Sequence, residues 1–173
     1  MLIVESEVLM EGTNDLKVCF KVTEKVLRTL FNYLYLQRVI LEDVILKPNI
    51  VIPGLSCSAQ ANIAEVADAT IQCLRQSVPA AIGGIAFLSG GQSGELASAH
   101  LNAMHVKYES KLPWPLTFSF ARAIQQPAME IWDGKDENKE PAQQALFHRS
   151  KCDKAARQGL YNAAMEDPLF LSN

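Results

Sequence analysis

Lys47 stands at the end of Val44-Ile45-Leu46, with Pro48 directly after it, inside a longer apolar stretch from Val39 to Gly54. Branched and apolar residues favour a buried strand, and the proline removes a ladder donor and turns the chain out of regular pairing. The ammonium is thereby expected at the carboxyl end of a strand, where parallel sheets gather their ligands and reactive side chains. Flanked by Leu46 and Pro48 it is partly desolvated, which favours the neutral amine that attacks carbonyl carbon. The same placement also fits a lysine that only extends to water. Glu5 and Glu7 lie two apart in Val4-Glu5-Ser6-Glu7-Val8-Leu9, so on a strand they share a face and could carry protons beside such an amine. A solvated strand face explains the pair equally well.

Ser89-Gly90-Gly91 sits between a strand-like run and a helix start. Two glycines there can bring backbone N–H groups close to an anion at the positive end of the helix, or can simply supply a turn with φ > 0. Arg122, just past a later strand, would share that rim and could complete an anion site, although alone it is an ordinary surface arginine. His100, His105 and His148 fall in helical stretches and are assigned structural or surface roles. Cys19, Cys57, Cys73 and Cys152 form no C-x-x-C pair and are read as reduced thiols with no histidine at metal-ligand spacing.

The elements that must position these residues alternate. Leu2–Leu9 reads as a strand. Glu11–Asp15 reads as a turn whose Thr13 or Asn14 could cap a helix from Leu16 to about Gln37. The Lys47 stretch is the second strand, and a helix from Ile63 follows until Pro79 closes it. Ile85–Leu88 is the third strand, and Ser93 is expected to cap a helix from Gly94 to about Lys107. Leu116–Phe120 is the fourth, with a helix through Trp132, a turn at 133–136, and a final helix from Asn138 to about Gln158. Residues 162–173 are expected to be irregular. Four strand–helix units plus a C-terminal helix predict an α/β fold with a parallel sheet, half of a (β/α)8 barrel, over one domain spanning 1–173.

Composition agrees with a globular chain: 173 residues, 49% hydrophobic and 20% charged. A net charge of −3 gives no basic surface for nucleic acid. The first residues meet a charge too early for a signal peptide, and no apolar run reaches membrane-spanning length, so the cytoplasm is the expected compartment.

Taken in order, Ile3–Leu9, Leu41–Asn49, Phe87–Ser93 and Leu116–Arg122 resemble successive motifs of class I fructose-bisphosphate aldolase, and the stretches between them are similar as well. The resemblance implies a TIM-type barrel and reversible cleavage of fructose 1,6-bisphosphate to dihydroxyacetone phosphate and glyceraldehyde 3-phosphate, in glycolysis. It further implies that Lys47 forms the Schiff base, that Glu5 is the acid–base carboxylate with Glu7 beside it, and that Ser89, Gly90, Gly91 and Arg122 hold the C1 phosphate. No metal or other cofactor is implied, because the iminium serves as the electron sink. The matching motifs are those of the barrel's second half. The implied partners are a phosphorylated sugar and either a second copy or a complementing N-terminal half. The competing reading is a catalytically silent aldolase-like fragment with a binding or scaffolding role. Ser6 stands where the family has proline, Ala121 where it has glycine before the arginine, and the chain ends at Leu171-Ser172-Asn173, short of a terminal tyrosine.

Overall fold

The computed structural model describes residues 1–167. Four parallel strands, β1 (Leu2–Ser6), β2 (Val44–Pro48), β3 (Gly84–Phe87) and β4 (Leu116–Phe118), lie side by side in chain order. The helices are α1 (Leu16–Leu36), α2 (Ile63–Ser77), α3 (Gly94–Tyr108), α4 (Arg122–Trp132) and α5 (Lys139–Arg157). Each strand pairs with its sequence neighbour across a helical crossover, and right-handed crossovers of this kind put the helices on one face of the sheet. That face is the core: Val44, Leu46, Ile85, Phe87 and Leu116 are buried against helix residues such as Leu27, Ile71, Leu101 and Met104.

The opposite face is open. Register pairs Ile3 with Ile45 and Glu5 with Lys47, which puts these four side chains on the face away from the core, and Ile3 remains 68% exposed. The four units and final helix agree with the expected half barrel.

Element bounds differ from expectation where side chains intervene. β1 stops at Ser6, because the next segment bonds sideways: the Val8 amide donates to Asn49 Oδ1 at 3.1 Å. The Lys47 strand is shorter at both ends. Leu41–Asp43 forms a 3-10 turn before it, and after Pro48 the apolar Ile50-Val51-Ile52 is a buried loop in which the Val51 amide donates to Thr70 Oγ1. Asp15, rather than Thr13 or Asn14, caps α1 by accepting from the Val18 amide at 2.8 Å. Ser93 caps α3 as expected, accepting from the Leu96 amide. α2 begins with a reciprocal capping box between Asn62 and Glu65. Residues 163–166, expected to be irregular, form a 3-10 turn capped by Asn162. The chain end at Leu171-Ser172-Asn173 lies outside the described residues. Among the described residues no helix is long and apolar enough to cross a membrane.

Candidate active site

Parallel pairing puts Glu5 of β1 directly beside Lys47 of β2, and laterally paired residues of a parallel sheet point to the same face. Lys47 Nζ lies 3.1 Å from Glu5 Oε1, with the lysine side chain 21% and the glutamate 51% exposed. The amine is thus sheltered but reachable, and it has a carboxylate within proton-transfer distance. Glu7 lies past the end of β1, is exposed, and makes no hydrogen bond or ion pair among the described residues. The structure therefore brings together Lys47 and Glu5, and leaves Glu7 apart from that pair.

Three rim loops meet beside this pair. Asn49, at the end of β2 and 2% exposed, accepts from Val8 and donates to Thr23 of α1 and to its neighbour Ile50. Leu55 N donates to Met10 O and Gly54 N to Asn14 O, which laces the loop after β2 to the loop after β1. Gly90 and Gly91 follow β3 at φ 58° and 79°, a conformation that glycine adopts without the Cβ penalty. The Cβ positions at these glycines lie 3.5 Å from Met10 Cγ and 3.2 Å from Leu55 Cδ1, so the glycine turn abuts both other loops. Among the described residues, the Gly90 and Gly91 amides have no backbone acceptor.

The turn is held from below. Gln92, 5% exposed, donates both its backbone N–H and its side-chain Nε2 to Ser89 O, at 3.2 and 2.8 Å. Its Oε1 then faces His100 Nδ1 at 2.6 Å, which makes Nδ1 the protonated ring nitrogen. His100 Nε2 is buried without a partner, and burial lowers the imidazole pKa to about 4, so the ring is neutral at neutral pH. Arg122 is the exposed first residue of α4 and makes no hydrogen bond or ion pair among the described residues. The start of α4 adjoins the start of α3: a Cβ on Gly94 would lie 2.6 Å from Ala123 O. That carbonyl is the one Pro127, four residues on, cannot engage. Ala121 has φ −100° and ψ −84°, so the backbone there does not demand glycine.

A second cluster lies in the helical layer. Arg149 donates to both oxygens of Glu166 at 2.8 Å and to Ser98 Oγ at 2.9 Å, and Ser98 Oγ donates to Asp153 Oδ1 at 2.5 Å. Tyr161 OH donates to Glu166 Oε1 at 2.7 Å. Burial pushes the Glu166 carboxyl up, but the hydrogen bonds from Arg149 and Tyr161 outweigh it and leave the group below the usual range. Burial alone dominates at Asp153, raising it to about 6, and at Cys152, raising it to about 11.

Several of these residues escape a sequence reading. Gln92 and His100 carry no local signal of their partnership. Asn49 does, as a lone amide in an apolar run. The expectation that no histidine lies near a cysteine at ligand spacing is corrected: His148 and Cys152 are four apart on α5, one helical turn, and Nε2 and Sγ are 3.7 Å from each other.

A family model described as "Glycolytic: Fructose-bisphosphate aldolase class-I" matches residues 1–170. The chain is 51% identical over 150 residues to a "Probable fructose-bisphosphate aldolase class 1" of Xanthomonas axonopodis pv. citri (strain 306), covering 86% of this chain and 44% of that protein. It is 43% identical over 164 residues to "Fructose-bisphosphate aldolase 1, chloroplastic" of Chlamydomonas reinhardtii, covering 95% of this chain and 43% of that protein. Among solved structures, fructose-bisphosphate aldolase from Plasmodium falciparum, crystallised with TRAP and a small-molecule inhibitor, superposes with a TM-score of 0.88 at 41% identity, over 93% of this chain and 46% of that one. The chain thus spans a little under half the length of the relatives it matches.

Proposed function

Because the chain belongs to the class I fructose-bisphosphate aldolase family, we propose that it carries the Schiff-base half of an aldolase site and acts in the reversible cleavage of fructose 1,6-bisphosphate to dihydroxyacetone phosphate and glyceraldehyde 3-phosphate. The observation that carries this reading is the Lys47–Glu5 pair, an amine and a carboxylate 3.1 Å apart at the carboxyl ends of adjacent parallel strands.

In this reading Lys47 Nζ attacks the ketone carbon of the substrate. Glu5 takes the amine proton and returns it to the departing hydroxyl, so that water leaves and a protonated imine forms. The imine then draws the electron pair of the adjacent C3–C4 bond as that bond breaks and the C4 hydroxyl proton passes to the carboxylate of Glu5, releasing the aldehyde and leaving an enamine. Glu7 is a supporting carboxylate, and its exposed position past β1 gives it a looser role than Glu5 has. Ser89, Gly90, Gly91 and Arg122 are proposed to hold the C1 phosphate, which the two unengaged glycine amides and the unpaired guanidinium support.

The whole reaction needs a second phosphate clamp and a closed barrel. We propose that residues 1–173 act as one domain and that the four missing strand–helix units come from a longer chain or are approximated by a second copy. The alternative, a silent binding fragment, is favoured by one observation: the face carrying Lys47 is open to solvent at Ile3 and Glu5. The proposed compartment is the cytoplasm, which the four free thiols support.

Borohydride trapping tests the reading. The folded chain is incubated with dihydroxyacetone phosphate, reduced, and its intact mass and modified peptide are read. The expected result is one reduced adduct on Lys47, lost in Lys47→Ala and reduced in Glu5→Gln. Absence of the adduct from folded protein favours the silent fragment.

A further inference from the structure

We propose that His148, Cys152 and Glu166 form a binding site for a zinc-like divalent cation in the helical layer, separate from the strand ends that carry Lys47. The three residues offer nitrogen, sulfur and oxygen donors that all lie within 4.8 Å of one another. His148 and Cys152 project from consecutive turns of α5, and Glu166 ends the 3-10 turn that follows it. His148 Nε2 is 3.7 Å from Cys152 Sγ and 3.8 Å from Glu166 Oε2. With metal–nitrogen, metal–oxygen and metal–sulfur bonds of about 2.0–2.3 Å, the edges of a tetrahedron are about 3.4–3.6 Å, so the two edges from His148 close with a shift of a few tenths of an ångström, and the Cys152–Glu166 edge, within 4.8 Å, closes with a shift of up to about an ångström.

Hydrogen bonding points to the same oxygen. Glu166 Oε1 already accepts from Arg149 Nη2 and from Tyr161 OH, which uses both of its lone pairs. Oε2 accepts from Arg149 Nη1, and it is Oε2 that faces His148. The carboxylate is thus fixed in plane by Arg149, with one lone pair left on the side of the imidazole and the thiol. Fixing a ligating carboxylate by a neighbouring hydrogen bond is how metal sites hold their ligands in place.

Charge is the obvious objection, since Arg149 repels a cation. The cluster, however, holds two carboxylates against this one guanidinium: Glu166, and Asp153, joined through Ser98 and with Oδ2 buried and unpartnered. Its formal charge is −1. A divalent cation that displaces the Cys152 proton adds one net positive charge and brings the cluster to zero. Atoms balance simply: the S–H bond breaks, a sulfur–metal bond forms, and the proton leaves to solvent. Cys152 is fully buried, while His148 and Glu166 side chains are 17% and 18% exposed, which gives the ion access and leaves a fourth position for water. A bound ion would tie the turn at 163–166 to α5.

Cobalt(II), added to the full 173-residue chain and then displaced by zinc, is the test. The expected result is one equivalent bound, a thiolate-to-cobalt charge-transfer band in the near ultraviolet, and about one proton released per ion. Cys152→Ser removes the band, His148→Gln keeps the thiolate but weakens binding by at least about tenfold, and Cys57→Ser changes nothing. A folded wild-type chain without the band, a band that survives Cys152→Ser, or one lost in Cys57→Ser overturns the assignment. The outcome is independent of whether Lys47 forms an imine.

Discussion

At the residue scale, the proposed chemistry rests on neighbours that hold each group rather than on the group alone. Lys47 is paired by register with Glu5, and the Ser89-Gly90-Gly91 turn is anchored through Gln92 to the neutral ring of His100. His100 has a further consequence for stability. Its folded pKa of about 4 lies below the ordinary histidine value of about 6.5, so as pH falls between these values the unfolded chain takes up a proton that the folded chain refuses. Stability from a neutral buried ring is present above about pH 6.5 and is lost as pH drops toward 4, by about 3 kcal/mol in all. Asp153, raised to about 6, has the opposite slope, since its folded form holds a proton that the unfolded form releases. The two oppose each other between about pH 4 and 6, so the histidine has to be isolated by difference. Chemical denaturation of the wild type and His100→Gln across pH 4 to 7 is expected to show the wild-type advantage shrinking in acid. A pH-independent difference would mean that the ring titrates normally.

At the scale of elements, the first turn of α3 is where three helices meet. Gly94 faces Ala123 O of α4 and Arg149 Cδ of α5, and a Cβ there would stand 2.6 and 2.7 Å from them. Helix propensity alone favours alanine over glycine by about 1 kcal/mol. Overpacking against a backbone carbonyl costs about 1–3 kcal/mol, and a shift of α4 to relieve it would also displace Arg122, its first residue, which is proposed to hold the C1 phosphate. Gly94→Ala is therefore expected to be destabilised in denaturant unfolding, despite its better helix former, and to bind dihydroxyacetone phosphate more weakly. A stabilised Gly94→Ala would show that α4 shifts freely. Most of these elements were legible in the sequence. Apolar spacing marked α1 and α2, and Ser93 marked the start of α3, because these signals are local. Ile50-Val51-Ile52 misled for a physical reason: a buried apolar loop and a buried strand present the same residue types, and only the side-chain acceptor on Thr70 separates them.

For the whole molecule, among the described residues the sheet has two free edges and one uncovered face; Ile3 is 68% exposed on that face, and Leu2, on the helix side of the β1 edge, is 53% exposed. Apolar strand edges of this kind are templates for further pairing. Expressed alone, the chain is expected to self-associate, with a mass by light scattering above the 19.1 kDa of one copy. A stable, compact monomer would show that the open face tolerates water and would remove the second copy as a means of closing the barrel.

The sequence alone determined the order of four strand–helix units, the strand-end positions of Lys47 and Glu5, and the glycine turn, because each follows from local pattern and chain order. It also carried the family resemblance, through motifs spread along the chain. Tertiary structure decided what no spacing states. It set Glu5 rather than Glu7 beside Lys47, since that depends on the register between two strands whose paired positions, 5 and 47, are 42 residues apart. It joined Gln92 to His100, and it brought Glu166 to His148 and Cys152 across a turn. These contacts arise only when separate segments pack, because a polar side chain's partner is fixed by what burial brings within hydrogen-bond reach.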